Sequence, residues 1–212
     1  MDRVIAEFPS RQLDADLVIC DYPGIAYQED MSKSVPYDDA YFDRYVGYEG
    51  SEIEQALNRC RLNLVAQARG MEVIDVGIGS GKFLQAAQAA GLKCSGYDVN
   101  PRAEAWLKER DLWLDIYNPG PPTFYQGGTV CWTFWDVLEH IPEPHKILDK
   151  IPVGHCLLTS IPIFADLSRV RESKHFRPDE HYYYFTDEGF RRWMQRYRFL
   201  CTAWNDDEST AR

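Results

Sequence analysis

The sequence predicts an α/β fold: a doubly wound, mostly parallel sheet with an N-terminal helical and aromatic extension. Three observations carry this. From residue 71 short apolar runs alternate with helix-forming segments, a glycine-rich turn "DVGIGSG" joins the first run to the first helix, and residues 1–70 do not share the alternation. Alternating strands and helices imply a parallel sheet covered by helices, and right-handed crossovers place those helices on both faces.

Each element follows from its own composition. Residues 1–70 contain strand-like "DLVICDY", turn-rich "CDYPGIAYQED", aromatic "VPYDDAYFDRYVGYEG" and a helix over "SEIEQALNRCRLNLVAQARG". "MEVIDVG" is an apolar run broken by glycine, and "KFLQAAQAAG" is rich in helix formers and ends on a glycine suited to a helix C-terminus. "LKCSGYDV" reads as a second strand, "PRAEAWLKER" as a helix with proline in its first turn, and "DLWLDIY" as a third strand. The Pro/Gly-rich loop "NPGPPTFYQGG" precedes a fourth strand, "TVCWTFW". A short helix near "PHKILDKI", a strand "HCLLTSIPI", a long polar and aromatic connection, a helix near "TDEGFRRWMQRY" and a last strand "RFLCTAW" complete the chain. Only "NDDESTAR" follows. The sheet therefore stops at six strands, or its edge is covered by residues 1–30 or by a second subunit in a homodimer, since an open edge invites pairing.

Composition narrows the class. With 212 residues, 45% hydrophobic and 26% charged, the chain can bury one sizeable core. A net charge of −10 opposes sequence-independent binding to nucleic acid, which runs on phosphate neutralisation. No apolar stretch approaches the roughly 20 residues of a membrane helix, and "MDRVIAEFPS" lacks a signal peptide's basic start and apolar centre, so no membrane partner and a cytoplasmic location are expected. The six cysteines are dispersed with no C-x-x-C pair, which favours reduced, buried thiols over a zinc knuckle or disulfide framework.

The glycine turn is the strongest chemical signal. In an open parallel sheet, ligands sit beyond the carboxyl ends of the strands, and the first strand-to-helix turn is the usual approach point. Three readings compete. A phosphate loop, G-x-x-x-x-G-K-[ST], fails because Val76 stands where its first glycine belongs and Phe83 follows Lys82. A dinucleotide fingerprint, G-x-G-x-x-G, is off by one residue at its third glycine. The pattern D-x-G-x-G-x-G, which opens on Asp75, remains. It resembles the first motif of the class I S-adenosylmethionine-dependent methyltransferases. Asp98 at the end of the second strand suits two ribose hydroxyls, as in NAD enzymes too. "WDVLEHIPEP" with "DEHYYYFTDEGFRRWMQRYRF" is similar to the subfamily carrying D-x-L-E-H-I-x-x-P and H-x-x-x-F-T, as in ubiquinone-pathway O-methyltransferases, over residues 40 to 201.

That resemblance implies a Rossmann-like methyltransferase fold in a single domain, with residues 1–70 as a substrate-side extension and 71–205 as the cofactor-binding core. It implies that Asp75, Gly77, Gly79 and Gly81 line the methionine portion of S-adenosylmethionine, that Asp98 and Val99 hold the ribose, that Asp115 and the Ile116 backbone meet the adenine, and that Trp135 and Asp136 stand near the transferable methyl. Each has a structural rival: Asp115 and Asp136 as caps, Trp135 as a core aromatic.

Displacement on a methyl carbon activated by a sulfonium rests largely on positioning, and a base is needed only where the acceptor holds its proton tightly. His140, His181 and Asp136 are the catalytic candidates. Asp136, Glu139 and His140 have i, i+3, i+4 spacing and would share one helical face. The ubiquinone-pathway enzymes use an acid, acid, His set at that spacing for a divalent ion, whereas most relatives with L-E-H need no metal, and none is assigned here. Residues 169 to 198 carry eight basic side chains (Arg169, Arg171, Lys174, Arg177, Arg191, Arg192, Arg196, Arg198) against five acids, which would welcome an anionic acceptor or form a solvated, ion-paired helix face. Tyr37, Tyr41, Phe42, Tyr45, Tyr48 and Tyr182 to Phe185 read as a lid or as core. The expected activity is O- or N-methylation of a small molecule. The alternatives are a nucleic-acid or modified-nucleotide methyltransferase, against which stand the acidic charge and "FWDV" in place of [DN]-P-P-[YFW], and a cofactor-binding protein without catalysis.

Overall fold

The computed structural model describes residues 1–13, 16–20, 24–31, 34–46 and 50–205. The chain forms β1 (Ser10–Gln12), β2 (Leu17–Cys20) and β3 (Ile25–Gln28), then α1 (Asp39–Val46) and α2 (Glu52–Gln67). The alternating series follows: β4 (Gly70–Val76), α3 (Lys82–Ala89), β5 (Lys93–Tyr97), α4 (Pro101–Lys108), β6 (Thr129–Trp135), α5 (His145–Leu148) and β7 (Cys156–Ser160), before β8 (Tyr183–Phe185) and α6 (Asp187–Arg196). Two compact units result, one from Met1–Val35, Asp136–Asp149 and Ile161–Trp204, the other from Pro36–Trp135 and Lys150–Ser160.

The second unit holds the parallel sheet, in the order β5-β4-β6-β7. This is the mixed α/β architecture that the alternation of strands and helices predicts. Val73, Ile74, Asp75 and Val76 of β4 and Val130 to Trp135 of β6 are buried on both faces, as central parallel strands require. Val65 of α2, Phe83, Leu84 and Ala87 of α3, and Ala103 and Leu107 of α4 pack into one core with Val73, Cys131 and Trp135. Asn100 starts α4 by accepting from the Arg102 and Ala103 amides at 2.9 and 3.3 Å, with Pro101 next in the chain. Gly96 is glycine for space, because a Cβ there would lie 2.8 Å from Ile78 Cγ2.

Two expected strands are absent. "DLWLDIY" contributes only a single parallel bridge, Gly96 with Trp113, held by Gly96 N–H to the Leu112 carbonyl at 2.8 Å and Leu114 N–H to the Gly96 carbonyl at 2.9 Å. "RFLCTAW" forms no strand: Arg198 takes φ 66° and residues 201–205 lie exposed. Among the described residues the parallel sheet therefore has four strands, not six.

The first unit carries a second, antiparallel sheet, β1-β2-β3-β8. The strand-like "DLVICDY" is thus paired, but within this sheet. Leu17, Ile19 and Ala26 pack with Phe164, Leu167, Val170 and Tyr184. Thr186 caps α6 by accepting from the Gly189 amide at 3.0 Å, and that helix buries Phe190, Trp193 and Met194. All six cysteines are free thiols; Cys20, Cys94 and Cys131 are buried, whereas Cys201 is exposed. Among the described residues no helix is long and apolar enough to cross a membrane.

Candidate functional site

The glycine turn leaves β4 with Gly77, Gly79 and Gly81 at φ 76°, 53° and 74°, in the left-handed region that disfavours a side chain. The Gly77 N–H donates to the Tyr97 carbonyl at 2.8 Å, which ties the turn to the end of β5. Asp98 completes the tie. Its carboxylate accepts from the Gly79 amide through Oδ2 at 3.0 Å and from the Asn100 amide through Oδ1 at 2.8 Å. Burial raises its pKa against those bonds. A third backbone bond, from Val99, also reaches this carboxylate, which holds it at the end of β5 where a ribose hydroxyl can be received.

Asp75 is not on the loop surface but in the sheet core, 1% exposed, where it accepts from its register partner Thr133 Oγ1 at 2.6 Å. Burial pushes its pKa up to about 7, against the Thr133 bond and the nearby Arg61 charge. Trp135 ends β6 with 8% exposure, edge-on to Phe83 at 5.3 Å, and the Arg61 guanidinium lies 4.9 Å above its ring. Its indole Nε1 is buried without a hydrogen-bond partner among the described residues. A carboxylate, a guanidinium and an orphaned N–H donor thus share one corner of the unit. That is the complement of a zwitterion: an acceptor for an ammonium, donors for a carboxylate. The residues present therefore fit the amino-acid end of S-adenosylmethionine.

The adenine end is plainer. Asp115 accepts from the Tyr117 amide at 3.0 Å and the Asn118 side chain at 3.1 Å, so its carboxylate braces its own turn, and these bonds, Asn118 first, hold its pKa down. Ile116 is fully buried and Val99 is 58% exposed. Arg61 escaped the sequence reading because it sits inside a helix whose other charges are ordinary; its one signal is a cation among Leu62, Leu64 and Val65, which face the core.

The catalytic candidates fall in the other unit. Asp136 follows Trp135 in sequence and takes φ 55°, and the next turn, Leu138–His140, is 3₁₀ rather than α-helical. His140 and His181 stand edge to face at 4.6 Å. Burial lowers His140 to about 4, against Asp136 and a hydrogen bond to the Glu180 backbone. Burial, then His140, Arg177 and His175, lowers His181 to about 3. Both imidazoles are neutral at physiological pH and weak as bases.

The aromatic residues expected together do not share one unit. Tyr37 stands edge-on to Tyr41 at 4.8 Å, Phe42 joins the parallel-sheet core, and the Asn100 amide donates to the Tyr37 and Asp38 carbonyls at 3.0 Å each. Tyr183, Tyr184 and Phe185 are buried in β8. The Tyr45 side chain and Tyr48 lie outside the described residues. Of the basic stretch, Arg169, Arg191, Arg192 and Arg196 pair with Glu172, Asp187, Glu188 and Glu7.

A family model described as a methyltransferase domain matches residues 44–202, most of the chain. No curated protein matches it.

Proposed function

The chain belongs to this methyltransferase-domain family and is an S-adenosylmethionine-dependent methyltransferase; from that premise we propose that its acceptor is a small molecule methylated on oxygen or nitrogen. The observation that carries the cofactor assignment is the corner of Asp75, Arg61 and the orphaned Trp135 N–H beside an Asp98 stitched to the glycine turn. Asp98 holds the ribose hydroxyls, Asp75 accepts from the ammonium, and Arg61 with Trp135 receives the carboxylate. The bound cofactor supplies a methyl made electrophilic by its sulfonium. The protein supplies orientation, which for a displacement of this kind is worth several kcal/mol.

Proton transfer has the smaller part. Imidazoles held near 4 and 3 take a proton from an alcohol or phenol only weakly. The net charge of −10 and the pairing of four basic side chains with acids support a small acceptor over a nucleic acid.

Calorimetric titration with S-adenosylmethionine and S-adenosylhomocysteine, with NADH as control, tests the site. Both sulfur compounds bind, NADH does not, Asp98→Ala abolishes binding, and Arg61→Met weakens it by roughly 10- to 100-fold while leaving methylthioadenosine, which has no carboxylate, unaffected. Equal weakening for methylthioadenosine removes Arg61 from the carboxylate. Salt-sensitive retention on oligonucleotides would overturn the small-molecule reading.

A further inference from the structure

The first unit gathers a second set of chemical groups. Glu139, His140 and His181 each offer a ligand atom, and those atoms all lie within 4.8 Å of one another. They come from two segments held together by main chain: the Tyr182 N–H donates to the Glu139 carbonyl at 2.7 Å, and the His140 ring is bonded to the Glu180 backbone. Glu139 is 1% exposed and His181 6%, while His140 is half-buried.

We propose that Glu139, His140 and His181 bind a divalent first-row transition-metal ion of the zinc class. Two imidazoles and one carboxylate suit zinc, cobalt or nickel, whereas magnesium and calcium prefer oxygen alone. Bonds of about 2.0–2.2 Å place tetrahedral ligand atoms about 3.3–3.5 Å apart, so the cluster closes on an ion by a shift on the order of 1 Å. Three protein ligands leave a fourth position for water. The bond from the His140 ring to the Glu180 backbone is the outer support that orients a metal-bound imidazole.

This set is not the one that i, i+3, i+4 spacing puts on a helical face. The turn is 3₁₀, Asp136 precedes it in a left-handed conformation, and Asp136 is not in the cluster; His181, from a distant segment, takes that place.

The test uses the full chain, stripped of metal by chelation and with no cofactor added, so its outcome is independent of the methyl-transfer reading. Zinc, cobalt and magnesium are titrated, following heat and, for cobalt, visible absorption. One equivalent of zinc binds, cobalt gives the intense bands of a low-coordinate site, and magnesium binds at least about 100-fold more weakly. His181→Ala and His181→Asn each lose zinc by roughly 100-fold or more with an unchanged circular dichroism spectrum, and Asp136→Asn changes it by less than about threefold. Absence of zinc binding to the unmodified protein overturns the proposal. So does binding indifferent to both His181 variants, or lost equally in Asp136→Asn.

Discussion

Asp75 shows what a single residue does when the sheet core and the cofactor corner both claim it. Its carboxyl ordinarily titrates at 3.8 but is pushed up to about 7, chiefly by burial. Below about pH 4 it is protonated whether the chain is folded or not. Between about pH 4 and 7 the folded protein keeps a proton that the unfolded chain has released, so this group's contribution falls as pH rises, by roughly 3–5 kcal/mol, and is flat above. Asp75→Asn removes that slope. Denaturant unfolding at pH 5 and pH 8 checks it: the variant gains on the unmodified protein at pH 8 relative to pH 5, and parallel pH curves would show that Asp75 is already ionised. Under the proposed contact of Asp75 with the cofactor's ammonium, binding carries the opposite sign, because an ammonium favours the carboxylate and draws the proton off. At this scale the sequence was legible where a motif exists: Asp75, the three glycines and Asp98 follow from spacing. Arg61 and the unpaired indole of Trp135 do not, because their meaning comes from a helix and a strand end that meet only in three dimensions.

Among the elements, those with local causes were legible and those with distant partners were not. β4, β5, β6, α3 and α4 follow from apolar runs, a glycine turn and a proline-led helix, all within a few residues of what they determine. The antiparallel sheet depends on β3 finding β8 across most of the chain, with Ile25 opposite Phe185, and no local pattern announces that pairing. "RFLCTAW" has strand composition but no strand partner, and composition without a partner gives no ladder. The start of α3 shows how tightly the glycine turn and its helix are joined. Gly81 precedes the helix at φ 74°, and a Cβ there would lie 3.2 Å from the Trp106 ring. Gly81→Ala therefore costs about 1–2 kcal/mol from the left-handed backbone alone, with the contact added. Thermal unfolding that is unchanged in this variant would mean that the turn relaxes to another conformation; the expected result is a lower midpoint together with weaker S-adenosylhomocysteine binding.

For the whole molecule, the feature that sequence periodicity hides most completely is that the first unit is assembled from three separate stretches of chain. Asp2 is the clearest fastening between them. Fully buried, it accepts from the Val4 and Ile5 amides at 2.9 and 3.1 Å, from Trp193 Nε1 at 3.2 Å and from Tyr197 Oη at 2.5 Å, and its own N–H donates to Tyr183 Oη at 2.8 Å. Tyr183 in turn donates to the Pro142 carbonyl at 2.5 Å, so Asp2, through its carboxylate and its main-chain N–H together, joins the N-terminal segment, the segment after β6 and the segment of β8 and α6. A buried carboxylate with four donors is worth keeping only because each donor would otherwise be buried unpaired. Asp2→Ala strands the indole and phenol donors and costs roughly 2–4 kcal/mol, whereas Asp2→Asn keeps an acceptor oxygen and costs less. Unfolding followed by tryptophan fluorescence reads the change directly, since Trp193 stacks on Phe185 at 5.0 Å in the same unit. A loss below about 0.5 kcal/mol in Asp2→Ala would mean that packing of β8 against α6 holds the three segments without the acid. The expected order, unmodified protein above Asp2→Asn above Asp2→Ala, identifies the hydrogen-bonded carboxylate as the fastening.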